Sequence, residues 1–181
     1  MKDLTDEELI QKIAKGDSKG FEALLHRYQK NVYGLCKRIL RSDMLAEEIS
    51  QETWIRVVQA APRFQALGSV KSWILTISKN QCLNCLEKRG WEEPLPEGSE
   101  QEIEDPSENL ESLLSRQHQR DQILQKIDQL PDRQRTALIL WMHEEKSYEE
   151  LAQELKTNVG AFKVLLFRAK GNLAKALKEI S

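Results

Sequence analysis

The residues best equipped for chemistry are three cysteines, three histidines and a scatter of carboxylates and cations along 181 residues. Cys82 and Cys85 form a CxxC, the spacing used by zinc sites and by redox dithiols. A structural zinc needs four ligands, and there is no second CxxC; only Cys36, His26, His118 and His143 remain as donors. A thioredoxin-like dithiol needs a βαβ setting, whereas the flanking residues read as helix. Three apart on a helix, the two thiols share a face, where cysteine packs as a small apolar residue. The pair is read as structural, with a redox or metal role as the alternative. No Gly-rich phosphate loop and no Ser/His/Asp arrangement is present, and the histidines are scattered on polar stretches. The sequence points away from an enzyme and calls for no cofactor and no metal.

Binding is the better reading, and its clearest signal is the stretch from Ser147 to Lys170. Ser147 with Glu150 is a capping-box pattern, each side chain able to satisfy a backbone N–H at a helix start. Leu151, Ala152 and Leu155 give that short helix one buried face. After Lys156-Thr157-Asn158, the residues Val159, Phe162, Leu166, Ala169, Leu173 and Leu177 recur at steps of three and four, the stripe of a longer helix. A short helix, a tight turn and a longer helix with basic residues off its stripe make a helix-turn-helix candidate; the plainer alternative is an ordinary helical hairpin.

The elements that would position these groups are all helical. Thr5 with Glu8 opens a first helix burying Leu9, Ile10 and Ile13, and it ends near Gly16. From Ser18, the residues Phe21, Leu24, Leu25, Tyr28, Val32, Leu35, Cys36 and Ile39 mark a long second helix. A third runs from Asp43 to Ala60, with Ala46, Ile49, Thr53 and Val57 inward and Glu47, Glu48, Gln51, Glu52 and Arg56 on its polar face, and stops before Pro62. Arg63 to Gly68 reads as a loop, and Ser69 to about Lys88 as a fourth helix with Val70, Trp73, Ile74 and Ile77. Helix resumes from about Pro106 to Leu130, and again from Arg133 to His143. No stretch alternates long enough for a strand, so the fold is all-α.

Between the fourth helix and this resumption, Gly90 to Asn109 carries three prolines among acidic residues and too few apolar groups to bury itself, which predicts a flexible linker. Residues 92–111 hold nine acidic side chains and no basic one. The 91 residues before them carry 15 Lys and Arg against 11 Asp and Glu, and the 70 after them 12 against 9. Two mildly basic segments therefore flank an acidic one, a balance that permits contact with nucleic acid. No apolar run approaches the ~20 residues of a membrane span. The N-terminus is too acidic for a secretory signal. Three cysteines fit no disulfide framework. A cytoplasmic protein is expected.

Seven stretches then add up to a family. Before the linker come Val32-Tyr-Gly-Leu-Cys-Lys-Arg-Ile-Leu, Ala46-Glu-Glu-Ile-Ser-Gln-Glu-Thr-Trp-Ile-Arg-Val, Pro62-Arg-Phe and Lys71-Ser-Trp-Ile-Leu-Thr-Ile-Ser-Lys-Asn. After it come Leu130-Pro-Asp-Arg-Gln-Arg, Ser147-Tyr-Glu-Glu-Leu-Ala and Val159-Gly-Ala-Phe-Lys with Arg168-Ala-Lys. In this order the chain closely resembles the extracytoplasmic-function sigma factors of bacteria, over nearly its whole length apart from the linker.

The resemblance implies a polymerase- and −10-binding domain over residues 1–91, an acidic linker over 92–109 and a −35-binding helix-turn-helix domain over 110–181. It implies as partners core RNA polymerase, double-stranded and melted promoter DNA, and an anti-sigma factor. Glu48, Gln51 and Glu52 match the family's polymerase contact. Arg63, Gln65, Lys71, Lys79 and Asn80 match the segment that holds unstacked bases of the opened strand, with Phe64 and Trp73 read as packing groups; stacking platforms are worth about 1–3 kcal/mol per base. Ser147, Lys163, Val164, Phe167, Arg168 and Lys170 match the −35 reader.

The chain departs from that family at two places. Lys156 stands where a turn glycine is usual, at a cost of roughly 1–2 kcal/mol if the backbone is left-handed there. Val164-Leu165 replaces a Ser-Arg pair; arginine is the commonest bidentate reader of guanine, so its absence predicts weak −35 discrimination, with Lys163, Arg168 and Lys170 left for phosphates. Val164 and Phe167, off the predicted stripe, are expected to face DNA, and much of the selectivity is expected in the loop from Arg63 to Ser69. Two other readings compete: a free-standing helix-turn-helix regulator, against which the Glu48/Gln51/Glu52 face argues, and a sigma-like interaction protein that has lost promoter reading, which Val164 and Leu165 keep open.

Overall fold

Short polar side chains set the helix starts. The computed structural model describes residues 4–97, 120–143 and 146–178, and the chain divides into two units between Arg89 and Gly90. In the first, Thr5 and Glu8 form the expected capping box on α1 (Asp6–Ala14), with Thr5 N donating to Glu8 Oε2 at 2.7 Å and Glu8 N to Thr5 Oγ1 at 3.2 Å. Asp17 caps α2 (Ser18–Leu40), and Ser42 caps α3 (Asp43–Ala60). A 3-10 turn, Ala61–Arg63, follows α3, and Ser69 accepts the N–H of Ser72 at the head of α4 (Val70–Arg89).

α2 is the hub of this unit, packing against α1, α3 and α4. Its stripe of Leu24, Val32, Cys36 and Ile39 is buried in the same core as Ala46, Trp54 and Val57 of α3 and Ile74 and Cys82 of α4. Phe21 stands edge-on to Trp54 with ring centroids 6.0 Å apart. Gly20 lets α1 and α2 approach: a Cβ there would lie 2.7 Å from Lys12 Cβ and 3.1 Å from Leu9 O. Arg27 donates to Asp6 Oδ1 at 2.6 Å and the Tyr28 hydroxyl donates to the same carboxylate, tying the start of α1 to the middle of α2. That carboxylate pushes the Tyr28 hydroxyl up to about 12.

The second unit holds α5 (Arg120–Asp128), α6 (Asp132–His143), α7 (Tyr148–Glu154) and α8 (Val159–Lys178). α8 is the hub of this unit, packing against α5, α6 and α7, and α6 is buried almost all round, including Asp132, Gln134, Arg135 and Thr136. Several of their polar atoms find partners: Arg135 Nη1 donates to Leu130 O at 2.7 Å, and Thr136 Oγ1 to Asp132 O at 2.7 Å. Satisfied in this way, polar side chains can be buried without the desolvation penalty of an orphan group.

The predicted linker differs at its beginning. Trp91 to Glu93 are docked on the head of α6: Glu92 N donates to Asp132 Oδ2 at 2.8 Å, Arg133 Nε to Glu93 O at 2.9 Å, and Gln134 Nε2 to Glu93 Oε2 at 3.2 Å. The Arg133 guanidinium lies 4.6 Å from the centre of the Trp91 ring. Composition pointed to a free acidic tether, but the carboxylates of Glu93 and Asp132 serve the helix start and its neighbours. The rest of the predicted linker from 98, and Leu110, Leu113, Leu114 and His118, lie outside the described residues. Among the described residues there is no strand, and no helix is long and apolar enough to cross a membrane.

Candidate nucleic-acid interface

The polar face predicted on α3 is exposed at Glu48 and Gln51 and half-buried at Glu52. Glu52 Oε1 accepts from Arg56 Nε at 3.0 Å, one turn on, an i,i+4 pair of the kind worth about 0.3–0.5 kcal/mol. The inner face is Leu45, Ala46, Thr53, Trp54 and Val57, with Thr53 Oγ1 returned to Ile49 O at 2.7 Å. The structure adds what the polar reading of this helix left out: Met44, Ile55 and Val58 are large apolar side chains in solvent. Met44, Glu48, Gln51, Ile55 and Val58 advance by steps of four, three, four and three, so they form one outward stripe. A 3.5-residue average keeps such a stripe in register with a facing helix. That spacing was already present in the sequence, hidden because the apolar positions were counted only toward the core.

Between α3 and α4 the chain makes a small exposed promontory. Phe64 and Trp73 pack edge to face with centroids 4.9 Å apart, the packing role expected of them, and such a pair contributes about 0.5–1.5 kcal/mol. It anchors a loop whose tip, Leu67, is 91% exposed. Arg63, Gln65 and Lys71 are exposed around that tip, whereas Asn80 is exposed about three turns further along α4. Lys79 is not: it is buried in the helix interface with Ser78 and Cys82, because its position falls on the inward side of α4. Its expected place among the groups holding the opened strand is corrected to a core position. Of the two CxxC thiols, Cys82 is buried and Cys85 half-buried.

In the second unit the predicted capping box is present at α7. Ser147 N donates to Glu150 Oε2 at 2.8 Å, and Glu150 N to Ser147 Oγ at 3.2 Å. Those bonds hold the Glu150 carboxyl below its usual range. Lys146 pairs with Glu154 across the helix. The turn to α8 passes through Lys156 at φ +50°, so the chain adopts the left-handed backbone without the usual glycine. Asn158 then caps α8, its Oδ1 accepting from Ala161 N at 2.8 Å.

The outward side of α8 is narrower than the periodicity implied. Lys163 and Arg168 are exposed, and Phe167 is 40% exposed. Gly171 lies one turn beyond Phe167 with open space where a Cβ would sit. Lys163 Nζ lies 6.0 Å from the centre of the Tyr148 ring, which itself packs on Phe162. Val164, expected to face DNA, is only 8% exposed, and its neighbour Leu165 is 1% exposed. Lys170, expected at a phosphate, is 1% exposed with its ammonium 3.8 Å from the centre of the Trp141 ring. The reason is that α8 packs against three helices, α5, α6 and α7, so it is apolar over more than one stripe. Among the described residues no group of His, Cys, Asp and Glu could hold a metal ion.

Two family models match in chain order: Sigma-70 region 2 over residues 24–92, and Sigma-70, region 4 over residues 120–173. Among curated proteins, the RNA polymerase sigma-H factor of Pseudomonas aeruginosa is 28% identical over 183 residues, covering 97% of this chain and 95% of that protein. The ECF RNA polymerase sigma-E factor of Escherichia coli K12 is 29% identical over 179 residues, covering 92% and 91%. Among solved structures, CnrH in complex with the cytosolic domain of CnrY aligns at a TM-score of 0.55 and 18% identity, covering 97% of this chain and 99% of that one. The sigma factor RpoE in complex with the anti-sigma factor NepR from Bartonella quintana aligns at 0.52 and 19%, covering 88% and 98%. At these identities the structural likeness bears on fold.

Proposed function

This chain belongs to the extracytoplasmic-function sigma factors, within the sigma-70 family of bacterial transcription initiation factors, and from that premise we propose how its surfaces divide the work. The α3 stripe of Met44, Glu48, Gln51, Ile55 and Val58 binds core RNA polymerase. An exposed apolar row flanked by carboxylates and amides suits a protein partner and is repelled by a phosphate backbone. The promontory at Leu67, with Arg63, Gln65, Lys71 and Asn80, holds the opened strand at the −10 element, cations meeting phosphates while Leu67 offers an apolar contact to an unstacked base.

In the second unit Lys163 and Arg168 meet phosphates at the −35 element, Ser147 lies beside them at the head of α7, and Phe167 reaches the groove. Phenylalanine has no hydrogen bond to offer a base edge, but it packs well on the thymine methyl. Its sequence information is therefore thymine against other bases, which keeps −35 discrimination weak. Such a protein initiates transcription by binding energy and carries out no bond chemistry itself. It works in the cytoplasm with the polymerase, and a cognate anti-sigma factor covering its polymerase-binding faces completes the set of partners.

The exposed α3 stripe carries this reading, because neither a free-standing DNA-binding regulator nor a lone helical hairpin has a use for it. The burial of Val164 and Leu165 also removes the observation that favoured a chain without promoter reading: both are core residues of the second unit. Run-off transcription with sigma-free core polymerase on a promoter library tests the proposal. Initiation that depends on both the chain and the polymerase is expected; polymerase binding with no transcript from any template would defeat it.

A further inference from the structure

Tyr148 is the first residue of α7, directly after Ser147, and two independent contacts set the place of its ring. Ser147 Oγ accepts from Glu150 N at 3.2 Å and donates to Glu150 Oε2 at 3.0 Å, so the cap fixes the backbone from which the ring projects. The ring itself packs on Phe162, a fully buried residue of α8, with centroids 5.9 Å apart and planes tilted by 51°. Tyr148 stays half-buried, so Phe162 does not cover it. Lys163, next in the chain after Phe162, is exposed, and its Nζ stands over the Tyr148 ring, 6.0 Å from the ring centre.

An exposed lysine on its four-carbon stem samples many rotamers, and most of that freedom is lost when the ammonium grips a phosphate. The negative face of an aromatic ring attracts a cation within about 6 Å of its centre. A ring locked from below by the core and from behind by a helix cap therefore narrows the range of Lys163 before DNA arrives. Binding then orders less of the side chain, which is the gain that preorganisation brings. Ser147 enters the same chain of contacts: its hydroxyl is committed to Glu150, so it acts on the promoter-facing side by placing Tyr148.

We propose that Tyr148 is a positioning residue for −35 binding, its ring holding the Lys163 ammonium where it meets a phosphate. The inference rests on the assignment of Lys163 to a −35 phosphate, and adds to it a residue that acts through Lys163 and uses its ring, with no call on its hydroxyl.

The test uses the full chain in two measurements. Without DNA, proton NMR of the unmodified chain should show the terminal methylene protons of Lys163 shifted upfield of those of other exposed lysines, the signature of a position over a ring. Tyr148→Leu should abolish that shift and Tyr148→Phe should keep it. With a −35 duplex, fluorescence anisotropy should show Tyr148→Leu binding about threefold more weakly than the parent chain, the scale of a cation–π contact at an exposed site. Tyr148→Phe should bind like the parent, and Tyr148→Leu should cause no further loss once Lys163 is alanine. The positioning role is overturned if the Lys163 methylene protons of the unmodified chain lie at ordinary positions, which requires no variant to fold. It is overturned equally if the losses from Tyr148→Leu and Lys163→Ala add, or if Tyr148→Phe loses as much as Tyr148→Leu. Failure of the underlying assignment looks different: Lys163→Ala alone would then bind the duplex as tightly as the parent, and the inference would fall with it.

Discussion

The outward faces of α3 and α8 belong to helices of nearly equal length, 18 and 20 residues, yet they present opposite chemistry. α3 shows solvent three large aliphatic or thioether side chains with a carboxylate and an amide between them. α8 shows four cations, Lys163, Arg168, Lys175 and Lys178, and one aromatic ring, Phe167. A DNA backbone attracts the second set and repels Glu48 of the first; a protein surface gains from covering Met44, Ile55 and Val58 and gains little from Lys163. Similar inward packing thus leaves each helix free to specify a different partner through a handful of outward positions.

The sharpest way to break this contrast is Ile55→Asp. It places a charge at the centre of the α3 stripe and should weaken binding to core polymerase about 30-fold or more, the scale of an interface hot spot. Binding of −35 duplex should be unchanged. Fluorescence anisotropy with each partner separates the two, and equal losses in both would mean that the faces are not distinct.

Next in size comes the pair Lys170→Ala and Lys163→Ala, which tests the border between core and surface on α8. Lys170→Ala removes a buried cation–π contact and should cost about 2 kcal/mol of stability while leaving the salt dependence of DNA binding alone. Lys163→Ala should do the reverse, lowering the slope of log K against log salt by about 1 with little change in stability. A shift in sequence preference at constant salt slope would show that Lys163 reads bases.

Phe167→Ala is expected to weaken −35 binding by about 1 kcal/mol, at the lower end of the range for a mismatched base pair. Replacing the −35 thymines by uracil, which deletes only the methyl groups, should weaken binding of the parent chain and not that of Phe167→Ala. Smaller still is Lys156→Gly. It relieves a left-handed backbone and should stabilise the second unit by roughly 1 kcal/mol in a denaturant titration. A loss of stability there would mean that the Lys156 side chain contributes more than its backbone strain costs.

Local patterns carried much of this in the open. The capping boxes at Thr5 and Ser147 were legible because their donors and acceptors lie three residues apart, and the bounds of α3 because Ser42 and Pro62 enclose it. The failures cluster where one helix packs on several others. Periodicity assigns each helix a single inward stripe, so it left Val164 and Lys170 facing solvent, and the family resemblance placed Lys79 at the DNA. It also treated Met44, Ile55 and Val58 as ordinary, since nothing in a single helix says which apolar residues will find the core. Composition misread Trp91 to Glu93 for a related reason: an acidic, proline-rich segment is poor at burying itself, but it can still be held at the head of another helix, by the carboxylate of Asp132 and the N–H of Gln134.

By itself the sequence determined the helices, their order, the family and the short-range bonds that begin and end each element, because those depend on residues within a few positions of one another. Tertiary structure alone decided which of the cations reach solvent, which apolar groups are left outside the core, and that Cys36 Sγ comes within 3.2 Å of Ser78 Oγ across the interface of two helices. These are outcomes of which helices pack together and how closely. Exposure and long-range contact are properties of the whole packing, and no window of one helix contains them.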